Sequence, residues 1–195
     1  MDKYKLSLST PREIDEKVKG FCENISLDGK LLYVDTVTYI KSISGKCFQN
    51  AESYIKEFGG KKVIGWKIWR CKNIYLQAES HAIVKTEKGN MVDVSPHDDG
   101  DQVLFFYYEK LQTLRGPISS QYFALSDSIL VKNFIGFKKE IEELEGFRDG
   151  SFVLDDSMLD KYAAYMIAFA RPKSEDEFCS CESNLKYKNC CGKYI

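Results

Sequence analysis

Three side chains in the first half of the chain could do chemistry together. Cys47 supplies a thiol, His81 an imidazole and Asp93 a carboxylate. In that order they are the parts of a cysteine nucleophile, its base and the group that orients the base. His81 is one of only two histidines, and it opens an apolar run where a core residue is expected. Asp93 stands among hydrophobes in Met91-Val92-Asp93-Val94, a costly place for a carboxylate without a hydrogen-bond partner. His81 is the partner the sequence offers. A second set lies at the other end of the chain, where Cys179, Cys181, Cys190 and Cys191 form two close pairs separated by eight residues. Four thiolates so spaced can close around one tetrahedral Zn²⁺ at Zn–S of ~2.3 Å, leaving no open position, so the ion they imply is structural. Lys186, Lys188 and Lys193 offset its negative charge. Cys22 and Cys71 are read as packing residues, and His97-Asp98-Asp99-Gly100-Asp101 as a solvated acidic turn.

The elements around the first set follow from periodicity. Phe48, Ala51, Tyr54, Ile55 and Phe58 recur at intervals of three and four, so a helix is predicted from Cys47, with Gly59-Gly60 as its stop. Cys47 then sits in the first turn, where unpaired N–H groups and the helix dipole stabilise a thiolate. Strand-like runs follow at Lys62–Arg70, Ile74–Thr86 and Asn90–Ser95, with a hairpin turn at Glu87-Lys88-Gly89-Asn90. For His81 and Asp93 to share a face, the pairing sum across the hairpin must be even, for example with Ile83 opposite Asp93; a two-residue Lys88-Gly89 loop would put them on opposite faces. An odd loop or a bulge is therefore required.

Elsewhere, Thr10-Pro11-Arg12-Glu13 predicts a helix start capped by Thr10, and 31–43 reads as strand or helix. Val103–Tyr108 is a strand. Phe134, Phe137, Ile141, Leu144 and Phe147 stripe one helix, while Leu159, Tyr162, Ala163, Met166 and Ile167 stripe another. Trp66 and Trp69 are candidate cleft residues or core aromatics.

The 195 residues suit one ordinary domain with an appendage. With 28 basic and 29 acidic residues, charge gives no argument for nucleic acid or an anionic membrane, and no apolar run reaches the ~20 residues that span a bilayer. The clustered cysteines and the absence of a leader pattern point to the cytoplasm.

The tail resembles the SEC-C motif, a small zinc module found at the end of many unrelated proteins. Cys179, Cys181, Ser183, Lys186, Tyr187, Lys188, Cys190, Cys191 and Gly192 match it, while Ser180, Glu182 and Asn184 depart from it. Asn184 replaces a glycine, and asparagine is the best substitute where a left-handed conformation is needed. The resemblance implies a surface that docks protein or ribosomal partners. The stretch from Cys47 to Pro96 resembles the transglutaminase-like branch of the papain-like cysteine hydrolases. It matches through Cys47, His81-Ala82 and Val92-Asp93-Val94-Ser95-Pro96, with Phe48 where many members carry Trp. By that resemblance Cys47 is the nucleophile, His81 the general base and acid, and Asp93 the orienter. The Cys47 N–H would serve the oxyanion, with Gln49 and Asn50 as the side-chain candidates.

The expected fold is α+β, a cysteine-headed helix packed on an antiparallel sheet. Residues 1–172 would form the hydrolase-like domain, with its core at 45–108 and a helical part at 117–170. Residues 173–195 would form the zinc module. The expected function is a cysteine hydrolase or acyl-transferase acting on a protein or peptide amide or thioester. The alternative is a non-catalytic adaptor that binds a partner through its zinc tail.

Overall fold

The computed structural model describes residues 6–71, 73–145, 155–170, 174–179 and 184–190. Among them it holds an α+β fold with four α-helices and one mixed six-stranded sheet. The strands are β1 (Lys30–Thr36), β2 (Lys61–Cys71), β3 (Tyr75–Lys85), β4 (Met91–Asp93), β5 (Gln102–Tyr107) and β6 (Gln121–Ala124). The helices are α1 (Glu16–Ile25), α2 (Cys47–Phe58), α3 (Ile129–Glu145) and α4 (Asp156–Ala170).

The sheet runs β2-β5-β1-β4-β3-β6, and β2 also pairs with β3, so the first five strands close on themselves. Val34, Val63, Ile83, Val103 and Phe105 form one buried cluster on the inside of this ring, with Leu32 and Met91 against it. An antiparallel sheet was expected, but β1 and β4 run parallel, with Asp35 opposite Val92 and Thr36 opposite Asp93. That pairing joins segments far apart in sequence and leaves no local signal of the kind a hairpin turn supplies.

The region 31–43 resolves into β1 followed by irregular chain, as its β-branched and aromatic content favours. The helix start expected at Thr10 is not there. Ser9 instead bridges Arg70 of β2, the Thr10 N–H donates to the Asp99 carboxylate, and α1 is capped by Asp15, whose Oδ1 accepts from the Val18 N–H at 2.9 Å. Pairing with the end of β2 takes the backbone that a helix from Thr10 would need.

Helix α2 lays Phe48 and Ala51 against Ile64, Ala82, Val84 and Val94, with Tyr54 and Ile55 partly covered. It rests on the outer face of the β2–β3–β4 wall, and α1 covers a second outer patch through Val18, Phe21 and Cys22. Helices α3 and α4 pack Val131, Phe134, Phe137, Met166 and Phe169 against Cys71, Ile74 and Tyr75. The buried face of α4 shares Tyr162 and Met166 with the expected stripe but not Leu159, Ala163 or Ile167. Met158, Tyr162, Tyr165, Met166 and Phe169 face the core, while Leu159 and Ile167 are exposed. The aromatic rings on the α3 side, above all Phe134 stacked among Tyr162, Tyr165 and Phe169, choose that face. Leu144 is exposed as well, and Phe147 lies outside the described residues.

Candidate active site

Each member of the first set is placed by a different element. Cys47 is the first residue of α2, and the helix has no side-chain cap at Lys46, so no side chain competes for its first-turn N–H groups. The loop before it is pinned by Asn50, which is 3% exposed. Asn50 Oδ1 accepts from the Ile43 N–H and its Nδ2 donates to the Ile43 carbonyl, both at 2.8 Å. Gly45 makes the turn into the helix at φ 74°, a conformation glycine adopts without steric cost.

His81 and Asp93 are brought to one face by the hairpin register. Val84 stands opposite Val92 and Lys85 opposite Met91, which sets Ile83 against Asp93. The turn is not the two-residue one. Thr86 donates its N–H to the Asn90 carbonyl at 2.9 Å, enclosing Glu87-Lys88-Gly89, and Gly89 takes φ 87°. A three-residue loop with a left-handed glycine is a common hairpin connection, and its odd length supplies the required parity.

The His81 Nε2 lies 2.8 Å from Asp93 Oδ2. Asp93 is fully buried, and its other oxygen accepts from the Ser95 N–H at 2.9 Å. The Asn50 amide also reaches Ser95 Oγ at 3.3 Å, so the loop that carries Cys47 and the carboxylate behind His81 belong to one hydrogen-bonded chain. Burial works against charge on both partners. For Asp93 the His81 ring, the Ser95 N–H and the more distant Lys67 prevail and hold the carboxyl below its ordinary range. For His81 the Asp93 carboxylate, together with charge and hydrogen-bond contributions from the Cys47 thiol, outweighs burial and pushes the imidazole up to about 10. Cys47 and His81 line the same cavity, and the His81 Nε2 is already engaged by Asp93. The imidazole is charged at neutral pH and paired with the Asp93 carboxylate.

No protein-family model, curated protein or solved structure matches this chain. The site is therefore characterised by its own geometry.

A cavity of about 310 Å³ opens beside the three residues. Its walls include Gly45, Lys67, Trp69, Glu79 and His97 in addition to Cys47, His81 and Asp93. Lys67 is absent from the sequence reading, where a lysine between Trp66 and Ile68 passes for a solvent-facing strand residue. It is only 3% exposed, because both faces of β2 are covered. Its position was recoverable from the two-residue strand period, since Gly65 stands opposite His81 and Lys67 lies two residues on, opposite Glu79. Trp69 does reach the cleft, whereas Trp66 is core, stacked on Phe106 with its indole N–H donated to the Ser119 carbonyl at 2.9 Å. Of the two oxyanion candidates, Asn50 is committed to Ile43 and Gln49 is exposed, and neither lines the cavity.

The acidic turn is structural in part: Asp99 accepts from the Thr10 N–H, and the Asp101 carbonyl accepts from the Thr36 N–H at 2.8 Å. In the tail, Cys179 and Cys190 are 3% and 4% exposed and belong to the same buried cluster as the α3 and α4 side chains, and neither forms a disulfide. Asn184 takes φ 55°, a left-handed conformation. The Cys179 N–H donates to the Leu185 carbonyl at 2.8 Å, folding the segment back on itself. Cys181 and Cys191 lie outside the described residues, and among the described residues no three metal-ligating side chains converge. Among the same residues, no helix is long and apolar enough to cross a membrane.

Proposed function

We propose that the protein is a cysteine-dependent hydrolase or acyl-transferase of the papain and transglutaminase type, with Cys47 as nucleophile, His81 as general acid and base, and Asp93 as orienter. The observation that carries this reading is the buried His81–Asp93 pair at 2.8 Å with Cys47 lining the same cavity. Attack of the Cys47 sulfur on a carbonyl carbon forms an S–C bond and a tetrahedral oxyanion. The Cys47 N–H at the uncapped start of α2 faces that oxyanion. His81 gives its proton to the departing amine or thiol, the C–N or C–S bond breaks, and an acyl-enzyme remains. His81, now neutral, takes a proton from water or an amine as it attacks the thioester, and Cys47 leaves as thiolate. Asp93 keeps Nε2 protonated throughout, so the other ring nitrogen does the exchange.

The test is alkylation of Cys47 by iodoacetamide at pH 7. A thiolate paired with His81 should react about tenfold or more faster than an ordinary thiol, which is only a few per cent ionised there. His81→Asn should return it to the ordinary rate. A wild-type rate equal to that of glutathione would remove the hydrolase reading and leave the adaptor one.

The thiol chemistry and joint burial of Cys179 and Cys190 fit a structural Zn²⁺ site completed by Cys181 and Cys191. Zinc there would supply folding free energy to the tail and no chemistry to the cleft. The tail is the surface through which a protein partner would dock.

A further inference from the structure

The Cys47 cavity contains a cation without a direct ion pair, with Asp93, Glu79 and Asp99 acting on it only at longer range. Lys67 is 3% exposed, and its ammonium makes no hydrogen bond or ion pair with any described residue; it lies over the face of Trp69, 3.9 Å from Nζ to the ring centroid. The natural partner across the strands is Glu79, directly opposite on β3. Glu79 is turned away, its carboxylate accepting the Trp69 indole N–H at 2.5 Å. Asp93, the buried carboxylate of the cavity, is engaged on both oxygens by His81 and Ser95. His97, on the same cavity wall, has both ring nitrogens buried and neither hydrogen-bonded. Burial, with Lys67 as the next cause, lowers its pKa, so the ring is neutral and offers one donor and one acceptor.

A buried ammonium costs several kcal/mol unless something pairs with it, and buried polar nitrogens without partners are rare in folded proteins. Both lie beside the same nucleophile, in a space large enough for a few non-hydrogen atoms. Aromatic walls with a few convergent polar groups are the usual make-up of a small-molecule subsite. We propose that the acyl substrate of Cys47 carries a carboxylate close to its reactive carbonyl, and that this carboxylate is bound by the Lys67 ammonium with the His97 N–H as second donor. The inference rests on the reading of Cys47 as the nucleophile. It makes Lys67 a specificity-determining residue. An acidic side chain or a free α-carboxylate on the acyl portion meets the requirement, and an uncharged amide in the same place does not.

Two reagents of nearly equal shape separate this from general thiol reactivity. Iodoacetate and iodoacetamide both form an S–CH₂ bond at Cys47 with loss of iodide, and differ in carrying a carboxylate or a carboxamide. The measured quantity is the ratio of their rate constants at Cys47, divided by the same ratio for glutathione. The expected normalised ratio is about 10 or more, falling to within about twofold of unity in Lys67→Met. His97→Asn should lower it less. A wild-type ratio near unity overturns the proposal, and so does a high ratio that persists in Lys67→Met, since the preference would then come from the His81 imidazolium alone. If Lys67→Met does not fold, Lys67→Gln gives the same comparison with a polar, uncharged side chain. Failure of the subsite and failure of the nucleophile are distinct outcomes: the first shows in the ratio, the second in a wild-type iodoacetamide rate no greater than that of glutathione.

Discussion

The His81–Asp93 pair ties the stability of this protein to pH in a direction that can be worked out. The His81 pKa is raised in the folded state, so its contribution is complete below the unfolded value near 6.5 and is lost as pH rises toward about 10. The Asp93 pKa is depressed, so its contribution is complete above the unfolded value near 3.9 and is lost as pH falls below it. The melting temperature should therefore be highest between about pH 4 and 6.5 and fall on both sides. In Asp93→Asn the decline between pH 6.5 and 9 should flatten, because His81 loses the anion that holds its proton; a wild-type slope unchanged by the substitution would remove the coupling. Lys67 acts in the opposite sense. Its ammonium is buried without an ion pair and its pKa is lowered, chiefly by burial, so it destabilises the fold at neutral pH. Lys67→Met should raise stability by about 1–2 kcal/mol in a urea titration, the gain expected when a buried charge gives way to an apolar side chain of similar volume, less the lost contact with Trp69. A site residue whose removal stabilises the protein is retained for something other than folding.

At the scale of elements, the site depends on two glycines. Gly65 on β2 stands opposite His81, and a Cβ there would lie 2.4 Å from the Phe106 carbonyl oxygen and 2.6 Å from the Phe105 ring. The obstacle is the backbone of β5, which cannot move without opening the ring of strands. Gly65→Ala should cost about 1–3 kcal/mol, the range for overpacking, and slow Cys47 alkylation by shifting His81. Gly89→Ala, where a Cβ meets nothing but φ is 87°, should cost about 1–2 kcal/mol from strain alone and leave the alkylation rate near wild type. The contrast separates a glycine needed for space from one needed for conformation. These elements also mark what the sequence could reveal. The α2 helix, its glycine stop, the β3–β4 hairpin and its parity condition are local, written in spacings of three, four and two residues. Lys67, the parallel β1–β4 pair and the burial of Met158 and Tyr165 in place of Leu159 and Ile167 are set by partners distant in sequence. A lysine in a strand signals exposure only while one face of that strand is open, and here α1 and α2 cover one face and the ring closes the other. The misplaced helix start at Thr10 has the same origin, since a correct capping pattern was overridden by pairing with Arg70.

At the scale of the molecule, the tail and the body share one core. Cys179 and Cys190 are buried among Phe134, Phe137, Met166 and Phe169, and the Tyr187 ring packs against the same cluster. Phe178 and Lys186 bridge across the segment, and Lys188 pairs with Asp176 at 2.7 Å. That pair is exposed and worth little, so the hold of the tail on α3 and α4 comes from burial of the thiol-bearing turn and from whatever the thiols bind. With zinc bound, the four cysteines would be locked as one ligand set, and its removal would leave the buried Cys179 and Cys190 side chains inside the α3–α4 core without the ion. Treatment with a strong chelator under reducing conditions should therefore release one zinc per chain and lower the melting temperature of the whole protein, in place of melting a tail alone. The hairpin site is far from the tail in sequence and is anchored by α2 and β3, so the iodoacetamide rate of Cys47 should hold near its starting value at temperatures below the new transition. Release of no metal would leave the tail held by packing alone. A drop in Cys47 reactivity in step with metal loss, while the near-UV circular dichroism of the body is unchanged, would mean that the zinc module acts on the cleft directly.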